Sequence, residues 1–127
     1  MDRLLAEIAT RRSEIVELCQ ALVRIPTVNP PGEAYRPCAE LLGRRLQRRG
    51  FTVQYLRAEG ERGDSDRHPR INVIARHESG RLGPTVHING HIDVVPAGEG
   101  WSVDPWAGAV REGRLYGRGS CDMKGGI

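Results

Sequence analysis

Apolar residues recur at helical spacing from the start of the chain: Leu4, Leu5, Ile8, Ile15, Leu18, Cys19 and Leu22, with Glu and Arg between them. That period predicts one long amphipathic helix, closed before Ile25-Pro26 because a residue preceding proline is steered away from helical dihedrals. Prolines at 26, 30 and 31 then mark an ordered loop across Pro26–Gly32. A second helix is predicted over Tyr35–Arg49, with Cys38, Leu41, Leu42 and Leu46 on one face and Gly50 as its stop signal. Beyond Gly50 the period falls to two. Phe51, Val53 and Tyr55 alternate with polar residues and predict a half-buried strand. Ile71–Ala75 and Thr85–Asn89 predict two more strands, joined across Gly80 and Gly83, while the charged run Glu59–Pro69 reads as a surface loop.

Two helices followed by strands predict an α/β layered domain. The 127 residues are enough for one core and short for two, with 39% hydrophobic and 28% charged residues. A net charge of +3 and a pI near 9.1 raise the question of nucleic acid. The paired arginines at 11–12, 44–45 and 48–49 fall on predicted helix faces, however, and none of the six aromatic residues interleaves with them. The expectation is solvated faces and no nucleic-acid partner. Three cysteines, Cys19, Cys38 and Cys121, form no CxxC pair and indicate neither a disulfide framework nor a thiolate zinc site. No stretch reaches the roughly 20 apolar residues of a membrane span, and the polar residues near the N-terminus interrupt any signal-peptide core. A cytoplasmic protein without a membrane partner is expected.

Candidate chemistry begins at Gly90-His91-Ile92-Asp93-Val94-Val95-Pro96. In extended backbone His91 and Asp93 share a face. That spacing suits a metal-binding imidazole with a carboxylate behind it, and equally a His–Asp hydrogen bond at a strand end. Downstream, Gly117-Arg118-Gly119-Ser120-Cys121-Asp122-Met123-Lys124-Gly125-Gly126 sets an acid in a glycine-flanked turn. Asp122 there could cap a following helix or bridge two metal ions. His87 shares the strand parity of His91 and could lie near the site, though an ordinary hydrogen-bonded histidine is the expectation; His68 and His77 are not selected as candidates.

These two segments, with Trp101-x-x-Asp104-Pro105-Trp106 and Gly113-Arg114-Leu115-Tyr116-Gly117 between them, resemble the M20 zinc peptidases. That group includes acetylornithine deacetylase, succinyl-diaminopimelate desuccinylase, aminoacylase and glutamate carboxypeptidase. Looser agreement extends to Leu22–Thr27, Asn29-Pro30 and Arg70–Ala75. The resemblance implies that His91 is a ligand of one zinc, that Asp93 is the carboxylate orienting it at the catalytic centre, and that Asp122 is the ligand bridging both ions. It also implies a cis peptide after Asp122, zinc as cofactor with cobalt or manganese as substitutes, and hydrolysis of the amide bond of N-acyl amino acids or small peptides. Trp106 stands where phenylalanine is commoner, a packing variation, and Cys121 is expected as a small buried side chain.

The family's glutamate pair, further ligands and lid domain follow later in its members, which are expected to dimerise. Residues 1–127 are therefore expected to be the N-terminal part of a layered helix–sheet–helix catalytic domain, without the lid and inactive alone. The alternative is a non-catalytic remnant or a structural module that depends on a partner chain.

Overall fold

A computed structural model describes residues 2–127. Three α-helices and two small antiparallel sheets make a mixed α/β chain: α1 (Asp2–Thr10), α2 (Arg12–Val23), α3 (Tyr35–Arg48), β1 (Thr52–Arg57), β2 (Ile71–Arg76), β3 (Ala109–Arg111) and β4 (Arg114–Tyr116), ending in a 3₁₀ turn at Lys124–Gly126. The chain divides into two compact units, Met1–Pro26 with Ala97–Ile127, and Thr27–Pro96.

In the first unit the expected single helix is broken. Arg11 leaves helical dihedrals (φ −99°, ψ 10°) and separates α1 from α2, because hydrophobic period alone does not report a local interruption whose neighbours keep the same face. Arg11 is engaged by charge on both sides, with its guanidinium 2.8 Å from Glu7 and 3.7 Å from Glu14. Leu22 and Val23, at the end of α2, form this unit's buried apolar pair. The β3–β4 hairpin turns through Glu112 (φ 50°) and Gly113 (φ 73°). Positive φ at both central residues gives a two-residue turn whose twist matches the strands it joins.

In the second unit α3 packs on both β1 and β2. Its start carries Pro37 in the first turn, where a missing N–H costs nothing. Its end is closed at Gly50 (φ 83°), with the Phe51 amide donating to the Leu46 carbonyl at 3.1 Å. That six-to-one bond satisfies a carbonyl the helix leaves unpaired. Cys38, Ala39 and Leu42 face inward with Tyr35 and Ile71, while a Cβ at Gly43 would run into the Tyr55 phenol. The glycine is what lets β1 approach the helix.

The strand pairing differs from expectation. β2 pairs with β1, antiparallel, from Thr52 opposite Arg76 to Arg57 opposite Ile71. Thr85–Asn89 forms no strand, and Val86 and Ile88 are 81% and 87% exposed. Alternation marks a segment able to line a sheet, but a strand also needs a neighbour's donors and acceptors. Here β1 provides β2's ladder. No helix among the described residues is long and apolar enough to cross a membrane.

Candidate functional site

His91 and Asp93 lie in extended backbone fastened to the loop before α3. The Val94 amide donates to the Thr27 carbonyl at 2.9 Å, and the Asn29 amide donates to the Val94 carbonyl at 2.8 Å. Val28 and Val94 form a parallel bridge. Thr27, fully buried, donates its hydroxyl to the Ile92 carbonyl at 2.5 Å. Backbone on either side of Asp93 is thus held by three hydrogen bonds within three residues.

On this support, His91 Nδ1 lies 3.1 Å from Asp93 Oδ1 and 3.1 Å from the Asp93 carbonyl oxygen. Both oxygens accept, so they are served by a proton on Nδ1, and in the neutral ring of that tautomer the lone pair lies on Nε2. A carboxylate or carbonyl behind one ring nitrogen is the usual setting of a metal-binding histidine. The residues present therefore fit an imidazole ligand of that kind. The other oxygen of Asp93, Oδ2, accepts from Asn29 Nδ2 at 3.1 Å. Asn29 Oδ1 in turn accepts from Arg70 Nη1 at 3.0 Å, and the same nitrogen donates to the Tyr35 hydroxyl at 2.9 Å. The Arg70 guanidinium also lies over the Tyr35 ring, 5.3 Å from its centroid. Burial pushes the Tyr35 phenol up from its ordinary value, and the nearby Asp93 charge adds to this against the pull of Arg70.

Arg70 is itself anchored. Its amide donates to Asp64 Oδ1 at 2.9 Å, and Asp64 takes the Arg57 guanidinium at 2.8–3.0 Å. These charged bonds hold the Asp64 carboxyl down at about 2, the Arg57 hydrogen bond being the largest cause. Gly32 and Gly63 leave room for the guanidinium: a Cβ at Gly32 would sit 2.7 Å from Arg70 Nη1, and one at Gly63 would meet Nη2.

Asp122 lies in the other unit, in the loop after β4. Its peptide bond to Met123 is cis, as the family resemblance implies. Met123, not Asp122, occupies the N-cap position of the 3₁₀ turn, with no side-chain cap hydrogen bond from it. Two residues on, Lys124 is 1% exposed, with Nζ donating to the Leu22 and Ile25 carbonyls at 2.8 and 2.7 Å. The ammonium closes the C-terminal end of α2, where carbonyls lack partners and the helix dipole is negative. A Cβ on Gly125 would strike the Ser120 carbonyl oxygen, so the turn is tight against its own backbone. Cys121 is exposed rather than buried, because Lys124 takes the inward position of this turn. Burial raises the Cys19 thiol, with Lys124 pulling against it, which favours the neutral thiol at this half-buried position.

Of the remaining histidines, His77 packs against Phe51 at 5.2 Å between ring centroids, and His87 is exposed. No group of three or more His, Cys, Asp or Glu side chains that could hold a metal ion occurs among the described residues. The motif reading missed Tyr35, Arg70 and Lys124 as working parts. Two of its looser matches, Asn29-Pro30 and Arg70–Ala75, nonetheless fall on the residues behind Asp93.

Comparison with known proteins agrees with the motifs. Residues 87–127 match the model of peptidase family M20/M25/M40. Across its full length the chain is 40% identical to succinyl-diaminopimelate desuccinylase 2 of Ruegeria sp. (strain TM1040). It is 41% identical over 91% of its length to the succinyl-diaminopimelate desuccinylase of Granulibacter bethesdensis, and 42% over 88% to that of Methylobacterium radiotolerans. The chain spans 26–30% of the length of these relatives. Together the motif region and the full-length similarity make this chain an M20-family sequence, an N-terminal segment of that family.

Proposed function

We propose that this chain contributes His91, Asp93 and Asp122 to a metal-dependent amidohydrolase that cleaves the acyl group from a small N-acyl amino acid. The observation that carries the reading is the Asp93 carboxylate, 3.1 Å behind Nδ1 of His91, which leaves Nε2 as the ligating nitrogen. His91 would bind one zinc ion and Asp122 would bridge two, with cobalt or manganese able to substitute. Metal supplies Lewis acidity and a water acidic enough to ionise near neutral pH. Asp93 keeps the proton on Nδ1 and strengthens His91 as a donor. The desuccinylase relatives support an N-succinyl amino acid as the first substrate to try. A layered helix–sheet–helix catalytic domain, a homodimeric full-length protein and a cytoplasmic setting belong to the same proposal.

The test uses a protein as long as the desuccinylase relatives that carries these residues, and measures zinc per chain and release of succinate from an N-succinyl amino acid. His91→Ala and Asp122→Asn should each remove zinc and activity, and Asp93→Asn should weaken zinc binding by about 10–100-fold. Full zinc content and undiminished turnover in His91→Ala would sink the proposal. The similarity to desuccinylases favours this reading over a non-catalytic module.

A further inference from the structure

The groups behind Asp93 form a line of hydrogen bonds with a fixed direction. Arg70 can only donate, since a guanidinium has no acceptor. Its Nη1 has two hydrogens, and two oxygens take them: Asn29 Oδ1 at 3.0 Å and the Tyr35 hydroxyl at 2.9 Å. A carboxamide can present either end, so contact with Asp93 alone does not decide its orientation. Arg70 decides it. The Asn29 oxygen must face the guanidinium, and its NH2 must then face Asp93, where it donates to Oδ2 at 3.1 Å. With Oδ2 engaged, Oδ1 remains for His91 Nδ1, also at 3.1 Å.

The geometry points to Arg70 as a positioning residue that acts through Asn29 on Asp93 and sets how firmly the carboxylate holds the proton on His91 Nδ1, beside the Asp93 carbonyl oxygen that faces the same nitrogen. This deepens the proposed function and rests on its reading of His91 as a metal ligand. Arg70 touches neither His91 nor any group that would meet substrate in this reading. Its influence travels through donor and acceptor polarity. Several features keep it in place: the Asp64 carboxylate on its amide, the Tyr35 ring beneath the guanidinium, and two glycines whose missing side chains make space. Tyr35 fits its part, because a phenol raised by burial keeps its own proton and accepts from Arg70 as a neutral group.

The experiment uses metal-free, 15N-labelled protein and reads the His91 ring by long-range 1H–15N correlation at slightly alkaline pH. Zinc affinity is measured in parallel by competition with a chelator, and circular dichroism confirms folding. Wild type should show the Nδ1–H form. Arg70→Met frees Asn29 to turn over and should raise the Nε2–H fraction several-fold while weakening zinc binding about tenfold. Arg70→Lys keeps a donor-only side chain and should restore both readings most of the way. An unchanged His91 ring in folded Arg70→Met overturns the inference. So does a lysine variant no better than methionine, which would assign Arg70 to packing alone. Should Arg70→Met not fold, Asn29→Leu carries the same reading, because it removes the donor to Oδ2 directly. If wild type binds no zinc, the proposed function falls, and the ring measurement still decides the role of Arg70.

Discussion

Around His91, a backbone bridge to the loop before α3 is joined by a network of side chains. Thr27 and Asn29 reach Asp93 or its neighbouring backbone directly, and Arg70, which also donates to Tyr35, stands behind Asn29. Around Asp122 the means are different. A tight turn with Gly125 against the Ser120 carbonyl is tied through its own backbone, the Lys124 amide donating to the Gly119 carbonyl at 2.8 Å, and by a buried ammonium that closes the end of α2. The first arrangement divides its task among several modest bonds, so losing one should loosen it by degrees. The second draws its long-range side-chain hold from Lys124, and should lose more at a single substitution. Positioning by a network favours fine control of orientation and proton location, whereas positioning by a single plug favours a rigid backbone path.

The sharpest break of that contrast is Lys124→Met. Methionine fills similar space but offers nothing to the Leu22 and Ile25 carbonyls, now 2.8 and 2.7 Å from Nζ. The Leu22 carbonyl keeps the Ile25 amide at 3.2 Å, whereas the Ile25 carbonyl loses the ammonium, and a buried group left unsatisfied costs about 1–3 kcal/mol. The expected loss is the largest of any single change considered for either region, seen as a lower urea midpoint and faster amide exchange in the last turn of α2. Unchanged exchange there would mean that the ammonium is not what closes the helix.

Thr27→Val probes the network on the other side of the comparison. The shapes are nearly the same, and the change deletes only the hydroxyl that donates to Ile92. A loss of about 1 kcal/mol is expected, the ordinary net worth of one hydrogen bond with its acceptor left buried at the upper end. The remaining bonds from Val94 and Asn29 should keep His91 in register. An effect as large as that of Lys124→Met would erase the distinction between the two regions.

Much of the secondary structure could be read from the sequence, because it follows from local periodicity. α3 and its glycine stop fall at Tyr35–Arg48 and Gly50, and β1 and β2 lie where alternation begins. Strand pairing was not legible. The pattern at Thr85–Asn89 describes a surface fit for a sheet and carries no information on which ladder is available to it. The candidate chemistry was legible where residue type and spacing are local, as with His91 and Asp93. Lys124 was not, since a lysine in sequence signals solvent unless its ammonium meets carbonyls about a hundred residues away. Arg70 and Asn29 stand 41 positions apart, and nothing in either residue's neighbourhood says that one sets the orientation of the other.

The smallest expected effect concerns the anchor of the network. Asp64 is held at about 2 by the Arg57 guanidinium first and by the Arg70 amide next, against an ordinary value of 3.8. A carboxyl depressed in the folded state binds its proton less readily there than in the unfolded chain. Its contribution to stability is therefore complete above about 3.8 and disappears as pH falls through about 2. Asp64→Asn should remove that dependence: its urea midpoint should fall less steeply than that of wild type across this window, with the two curves converging at the acid end. The same substitution should leave the end of α2 as protected as before, because nothing in the Lys124 turn depends on this carboxylate. Parallel acid curves for wild type and Asp64→Asn would show that Arg57 and the Arg70 amide do not hold the charge, and that the line from Arg70 to Asp93 is anchored by packing on Tyr35 alone.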